Sequence, residues 1–222
     1  MIDALAVALT YVLASISFPY WIARARGVDL RATGSRKLGG SNLGATVGPL
    51  HGIAGGILDG AKGFAAVLFA RALGFALETQ LLCGLAAITG QMWPVFHRFD
   101  GGRANATVWG FQLATDFIAF FIGLIPVIVA GALRLGVRPR PRRLPPLASL
   151  LSCAVFPAVI WEQEGVTPTV LAGVAALALL LARRLTAGIR DDLATGASPA
   201  RVLANRALFD RSELQERGLV AI

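Results

Sequence analysis

Long apolar segments alternate with short polar ones along most of the chain. The clearest apolar segments are residues 4–22, 52–72, 81–96, 144–161 and 166–182. A membrane-spanning helix needs about 20 mostly apolar residues to cross a hydrocarbon core of about 30 Å. The pattern therefore predicts an all-α, polytopic membrane protein built as a helical bundle.

A further apolar stretch, residues 104–133, is interrupted by Asp116. At about 1.5 Å per helical residue, the whole stretch is too long for one straight crossing. Basic residues mark the cytoplasmic loops of membrane proteins. Two crossings, one on each side of Asp116, place every lysine and arginine except Lys62 and Arg71 on the cytoplasmic side. We therefore predict seven transmembrane helices, with the N-terminus outside and the C-terminus in the cytoplasm.

The last part of the chain, residues 183–222, is polar and rich in arginine and aspartate. We predict an integral membrane domain over residues 1–182 and a cytoplasmic tail over residues 183–222, with one or two surface helices. Two interpretations of the tail stay open. It is either a solvated extension or a segment that binds the membrane surface or a partner.

Composition agrees with a lipid environment. Hydrophobic residues make up 55% of the 222 residues and charged residues only 15%, and the net charge is +8. The basic residues lie in clusters between apolar runs, which is typical of membrane topology and argues against nucleic-acid binding. Cys83 and Cys153 lie in apolar stretches, and the two histidines, His51 and His97, form no metal motif. We expect no disulfide framework, no metal and no cofactor.

Asp59 and Lys62 are charged residues inside the second apolar segment, three positions apart, so they share one helix face. Charges within a membrane helix usually have a function. The alternative is that the helix starts near the interface and Lys62 extends its ammonium to the polar region.

Three glycine-containing or basic loops are predicted on the cytoplasmic side. Residues 29–46 combine glycines, hydroxyls and bases, residues 101–103 open a short helix, and residues 138–143 form an arginine-rich run. Glycine-rich backbone and helix N-termini bind anions, and basic side chains neutralise them. The loops indicate an anionic substrate, although basic loops also arise for topology alone.

Several stretches resemble one family in order and at consistent spacing. Residues 34–42 align with its motif G-S-G-N-P-G-A-T-N, and residues 58–63 with L-D-x-x-K-G. Residues 90–107 are similar to G-H-M-F-P-V-F-x-x-F-K-G-G-K-G-x-A-T, and residues 143–149 to R-Y-V-S-L-G-S. The chain thus resembles the PlsY family, bacterial membrane glycerol-3-phosphate acyltransferases whose donor is acyl-phosphate.

The resemblance implies a site at the cytoplasmic face with Ser35 and Arg103 as catalytic residues. The residues that it assigns to substrate binding are Lys37, Asn42, Asp59, Lys62, Gly101, Gly102 and Ser149.

Some positions depart from the family pattern. Lys37 replaces an asparagine, Gln91 a histidine and Arg103 a lysine. The family's third motif, R-H-R-x-N-I-x-R-L-L-x-G, has its nearest counterpart in residues 184–193, which lack the histidine and the asparagine.

The function implied is transfer of a fatty acyl group from acyl-phosphate to glycerol-3-phosphate. The product is lysophosphatidate, for phospholipid biosynthesis at the bacterial plasma membrane. The alternative is a catalytically degenerate relative that binds a lipid or a partner. A transporter is a weaker hypothesis because no inverted repeat is visible. The sequence leaves the acyl-chain preference, the general base and the oligomeric state open.

Overall fold

The computed structural model describes residues 1–136 and 143–212. In this part of the chain the regular structure is helical throughout, which confirms the all-α prediction. A short 3₁₀ turn spans Val95–His97. The α-helices are α1 Ile2–Ala14, α2 Phe18–Ala25, α3 Gly40–Thr46, α4 Pro49–Ala72, α5 Leu77–Met92, α6 Asn105–Thr115, α7 Phe117–Gly136, α8 Leu144–Glu164, α9 Pro168–Thr186, α10 Ile189–Leu193 and α11 Pro199–Phe209.

Among the described helices, five segments are long and apolar enough to cross a membrane. They are α1 together with α2, then α4, α7, α8 and α9. Helix α5 has 16 residues and α6 has 11, so both are shorter than a usual spanning helix. The count of seven crossings and the orientation of the termini remain predictions.

The first predicted span is broken into two helices at Ser15–Ser17. Pro19 lies in the first turn of α2, where its missing N–H is tolerated, but its ring would collide with the carbonyl of Ser15 in a continuous helix. The Ser17 hydroxyl caps α2 by accepting a hydrogen bond from the Tyr20 N–H at 3.3 Å. The break leaves carbonyl groups at the end of α1 without helical partners.

Asp116 separates α6 from α7, as the sequence predicts. Its backbone is extended, with φ −144° and ψ 112°, and its N–H donates to the Gln112 carbonyl as the last bond of α6. Two helices therefore replace one overlong helix.

The chain forms two compact units, residues 1–116 and the residues from Phe117 onward. In the first unit, α4 packs against α6, α1 against α5, and α3 against α4. Helices α4 and α6 approach at glycines. A Cβ added to Gly110 would lie 3.0 Å from the Phe64 nitrogen and would collide with the Gly60 carbonyl. Small residues permit such close packing between apolar helices.

In the second unit, α8 packs against α7 and α9, and α11 packs against α8 and α9. One face of α11 is buried, which the polarity of the tail did not indicate. Val202 and Arg206 are buried, and Arg206 donates to Asp192 at 2.6 Å. An arginine whose charge is matched by an internal carboxylate can be buried, and polarity alone does not reveal that match. Whether residues 183–222 form a cytoplasmic tail separate from a membrane domain remains a prediction.

Candidate functional site

The loop between α2 and α3 is organised by one buried side chain, Asn42. Its Oδ1 accepts the Ser35 N–H at 2.9 Å. Its Nδ2 lies within hydrogen-bond distance of the carbonyls of Leu30 at 3.2 Å, Thr33 at 3.1 Å and Lys37 at 3.1 Å. Because the buried Asn42 amide contacts several backbone groups of the loop at once, it fixes the positions of Ser35 and Lys37.

Backbone conformation also restricts this loop. Gly34 has φ +62° and Arg36 has φ +58°, so the residues on both sides of Ser35 are in the left-handed region. A Cβ at Gly34 would lie 2.9 Å from the Thr46 methyl group and would overlap the Asn42 amide. Glycine is therefore required at position 34.

Lys62 is tied to the break in the first span. Its Nζ donates to the carbonyls of Ala14 at 3.1 Å and Ile16 at 2.9 Å. The same ammonium lies 3.1 Å from Asp59 Oδ1 and donates to Gln91 Oε1. Asp59 and Lys62 are both buried, with side chains 5% and 9% exposed. The pair shares one helix face, as expected from its spacing.

Gln91 joins this ion pair to both glycine-containing loops. Its Nε2 donates to Asp59 Oδ2 at 2.8 Å and lies 3.5 Å from the Leu38 carbonyl, at the outer limit for a hydrogen bond. Its backbone carbonyl accepts the Gly102 N–H at 3.0 Å.

Gly101 and Gly102 are buried where two segments meet. A Cβ at Gly102 would lie 2.9 Å from the Leu38 carbonyl, and one at Gly101 would lie 2.9 Å from Pro94 Cγ and overlap the Gln91 carbonyl. The next residues are Arg103 and then Ala104, which caps α6 with a left-handed φ of +56°. The α6 N-terminus therefore follows directly on Arg103, and helix N-termini favour anions.

An apolar cavity of about 610 Å³ lies along α1 and α4. Its walls include Leu9, Leu13, Ala66 and Phe69, and Lys62 is the charged residue of its lining. A cavity with this lining suits a hydrocarbon chain with an anionic end.

Aromatic and charged side chains lie beside the α2–α3 loop. Arg31 forms a two-point ion pair with Asp29, at 3.0 and 2.7 Å, and its guanidinium lies 5.0 Å from the centre of the Tyr20 ring. The hydrogen bonds from Arg31 lower the pKa of Asp29 to about 2. The His97 ring packs edge-on against Tyr20, and partial burial lowers its pKa.

Ser149 belongs to the second unit. Its hydroxyl donates to the Pro146 carbonyl at 2.9 Å and accepts from Arg184 Nη2 at 2.9 Å. Arg184 is fully buried and also donates to the carbonyls of Pro146 at 3.0 Å and Ala207 at 3.2 Å. Of the predicted basic run 138–143, only Arg143 lies within the described residues, and residues 213–222 of the tail also lie outside them.

The first unit therefore brings most of the predicted site residues into two neighbouring groups. Ser35 and Lys37 lie in the loop that Asn42 of α3 organises, and Asp59 and Lys62 are linked through Gln91 to the Gly101–Gly102 segment. Sequence reasoning did not assign roles to Gln91 or Arg184. Their sequence positions could have indicated a role, since Gln91 lies in an apolar helical segment and Arg184 lies just after one. Within residues 1–136 and 143–212, no group of three His, Cys, Asp or Glu side chains is arranged to hold a metal ion.

Comparison with known proteins gives consistent results. A family model described as glycerol-3-phosphate acyltransferase matches residues 4–193. The glycerol-3-phosphate acyltransferase of Geobacter sulfurreducens is 37% identical over 164 residues, which cover 73% of this chain and 79% of the relative. Glycerol-3-phosphate acyltransferase 5 of Dehalococcoides mccartyi is 32% identical over 209 residues, covering 90% and 85% of the two chains.

Solved structures with the same fold include two crystal structures of PlsY (YgiH), an integral membrane glycerol 3-phosphate acyltransferase. The glycerol 3-phosphate form aligns with a TM-score of 0.73 and 25% identity, covering 91% of this chain and 99% of that one. The lysophosphatidic acid form aligns with a TM-score of 0.71, also at 25% identity, covering 88% and 93%.

Proposed function

Because the chain belongs to the glycerol-3-phosphate acyltransferase family, we propose that it is an integral membrane enzyme that acylates glycerol-3-phosphate. The product is lysophosphatidate, and the reaction serves phospholipid biosynthesis at the bacterial plasma membrane. The observation that carries the proposal is the meeting of two glycine-containing loops, 34–42 and 101–103, at Gln91.

The two loops supply groups suited to a phosphate. Lys37 and Arg103 are cations, and the glycines allow backbone N–H groups to approach an anion closely. The α6 N-terminus begins directly after Arg103. A phosphate bound here gains charge-assisted hydrogen bonds, which are the strongest available to it.

We propose acyl-phosphate as the donor. Its mixed anhydride is already activated, so the reaction needs neither coenzyme A nor a metal. The 1-hydroxyl oxygen of glycerol-3-phosphate attacks the carbonyl carbon, the bond from that carbon to the phosphate oxygen breaks, and inorganic phosphate leaves with the hydroxyl proton. Ser35 and Arg103 stabilise the developing negative charge, which in favourable sites lowers the barrier by several kcal/mol.

The apolar cavity along α1 and α4 suits the acyl chain of the donor. With seven crossings and an outside N-terminus, both loops lie at the cytoplasmic headgroup level. The acyl chain then stays in the bilayer while the charged acceptor arrives from water.

A second function is favoured by specific observations. The ammonium of Lys62 is already in contact with two backbone carbonyls, Asp59 and Gln91, and residues 184–193 lack the family's histidine and asparagine. Both features fit a relative that retains the fold and binds a lipid or a partner without turnover.

Acyl transfer from palmitoyl-phosphate to radiolabelled glycerol-3-phosphate in proteoliposomes decides between the two. We expect product from the wild type, strong loss in Ser35→Ala and Arg103→Ala, and retained activity in Arg103→Lys. Arg98→Ala, an exposed arginine of the neighbouring segment, is the matched control and stays active. No product above a protein-free control, with acyl-CoA or other polyol phosphates also failing, would refute the acyltransferase function and favour the binding function.

A further inference from the structure

We propose that Gln91 is a positioning residue that sets the gap between the two glycine-containing loops and thereby the affinity for the phosphate-bearing acceptor. The expected effect on substrate affinity rests on the proposed acyltransferase function. The expected effect on the spacing of the two loops does not. Gln91 is 3% exposed and contacts three separate segments of the first unit through different atoms.

The Asp59–Lys62 ion pair determines the orientation of the Gln91 amide. Lys62 donates to Oε1, while Nε2 donates to Asp59 at 2.8 Å. Only one of the two amide orientations places the acceptor on the ammonium and the donor on the carboxylate. The ion pair therefore fixes which way the Gln91 amide points.

The fixed amide lies next to the loop before α3. With Nε2 held by Asp59, the amide lies 3.5 Å from the Leu38 carbonyl. Leu38 is itself anchored, because its side chain is buried in a cluster with Ala23, Leu30 and Leu43. The loop that contains Ser35 and Lys37 is therefore anchored at Leu38, next to Gln91.

Gln91 also contacts the loop before α6. The Gln91 carbonyl accepts the Gly102 N–H at 3.0 Å, and a Cβ at Gly102 would lie 3.3 Å from Gln91 Nε2. Gly102 is therefore held against both the side chain and the backbone of Gln91. A change in this side chain alters the spacing between Leu38 and Gly102, and so between Lys37 and Arg103.

The chemistry demands a side chain that donates at one end and accepts at the other. Neutral histidine has one donor and one acceptor nitrogen and can replace the amide, whereas leucine has neither. Glutamate only accepts when ionised and would face Asp59 with a like charge. We therefore expect glutamine and histidine to support function, and both glutamate and leucine to impair it.

Kinetics in proteoliposomes provide the first test. In Gln91→Leu we expect the KM for glycerol-3-phosphate to rise about tenfold, because buried partners are left unsatisfied and the loops shift, while kcat changes less. Gln91→His restores a KM close to that of the wild type. Gln80→Leu, the same change at the other end of α5, is the matched control and leaves KM unchanged.

A distance measurement tests the same proposal without catalysis. Spin labels are attached at Ala32→Cys and Arg98→Cys, two exposed positions on the two sides of the junction, with the buried Cys83 and Cys153 replaced by alanine. Pulsed electron resonance then reports the distance between the labels. We expect one narrow distribution in the wild type and in Gln91→His, and a shifted or broadened one in Gln91→Leu.

The two readouts separate failure of this proposal from failure of the proposed function. An inactive wild type in which Gln91→Leu still broadens the distance distribution refutes the acyltransferase function and supports the positioning role. An unchanged distribution in Gln91→Leu overturns the positioning role, whether kcat falls, thermal stability falls, or nothing changes.

Discussion

Each of the two units buries an ion pair and completes it with backbone carbonyls at a helix end. In the first unit, Lys62 pairs with Asp59 at 3.1 Å and donates to the Ala14 and Ile16 carbonyls. In the second, Arg206 pairs with Asp192 at 2.6 Å and donates to the carbonyls of Ala187 and Gly188. Buried charges persist only when both the opposite charge and the remaining hydrogen bonds are supplied.

The two pairs differ in what their partners connect. Asp59 and Lys62 are three residues apart on one helix, so their approach to each other is local, and the contacts beyond the pair lead through Gln91 to the glycine loops. Asp192 and Arg206 belong to α10 and α11, and they meet only when the polar tail folds back on itself. The first pair supports a candidate site, whereas the second holds α10 and α11 together.

The largest effect is expected from Lys62→Met. It leaves the Asp59 carboxylate buried without a cation, so we expect a loss of about 3–5 kcal/mol in the free energy of unfolding, measured by denaturant titration in detergent. The double variant with Asp59→Leu removes the orphaned charge and recovers most of that loss. If the free energy of unfolding is unchanged while acyl transfer disappears, Lys62 binds substrate, as the family resemblance implies. Its contacts with the carbonyls of α1 would then contribute little to stability.

Arg206→Met tests the second pair. We expect a loss of about 3 kcal/mol, because Asp192 loses its cation and two helix-end carbonyls lose their donor. Limited proteolysis then cuts the tail faster than in the wild type. Arg201→Met, at an exposed position of the same helix, is the control, with an effect within about 0.5 kcal/mol. Equal rates of proteolysis in Arg206→Met and Arg201→Met would contradict the role of the Asp192–Arg206 pair in holding α10 and α11 together.

Gly110→Ala tests helix packing in the first unit. The added methyl group collides with the Gly60 carbonyl, so we expect a destabilisation of about 1–3 kcal/mol from the separation of α4 and α6. Gly131→Ala in α7 meets no atom within 4 Å and serves as the control, with an unchanged or slightly higher melting temperature. Similar melting temperatures for both variants show that the crossing of α4 and α6 tolerates the methyl group.

Hydropathy and charge predicted the helical class and the break at Asp116, because both depend on local composition. They did not predict the break at Ser15–Ser17, since the surrounding sequence is apolar without interruption and only Pro19 marks it. The pairing of Asp59 with Lys62 followed from helical spacing. The role of Gln91 did not, because it depends on Leu38 and Gly102, which are distant in sequence and meet through tertiary packing. The burial of Arg206 escaped prediction for the same reason.

The smallest effect is expected where an ion pair is exposed to solvent. Arg31 lowers the pKa of Asp29 from 3.8 to about 2, so the folded state favours the ionised carboxylate. A carboxyl with a lowered pKa in the folded state stabilises the protein above pH 4, and this contribution is lost as the pH falls from about 4 to 2. Asp29→Asn should therefore leave the melting temperature near neutral pH almost unchanged, because exposed pairs contribute little. It should also flatten the decline of the melting temperature between pH 4 and 2 slightly, relative to the wild type. The same change at the exposed Asp191 of the second unit is the control. A large drop in melting temperature at pH 7 in Asp29→Asn, but not in the control, would contradict this expectation. The exposed pair would then stabilise the protein as strongly as the two buried pairs do.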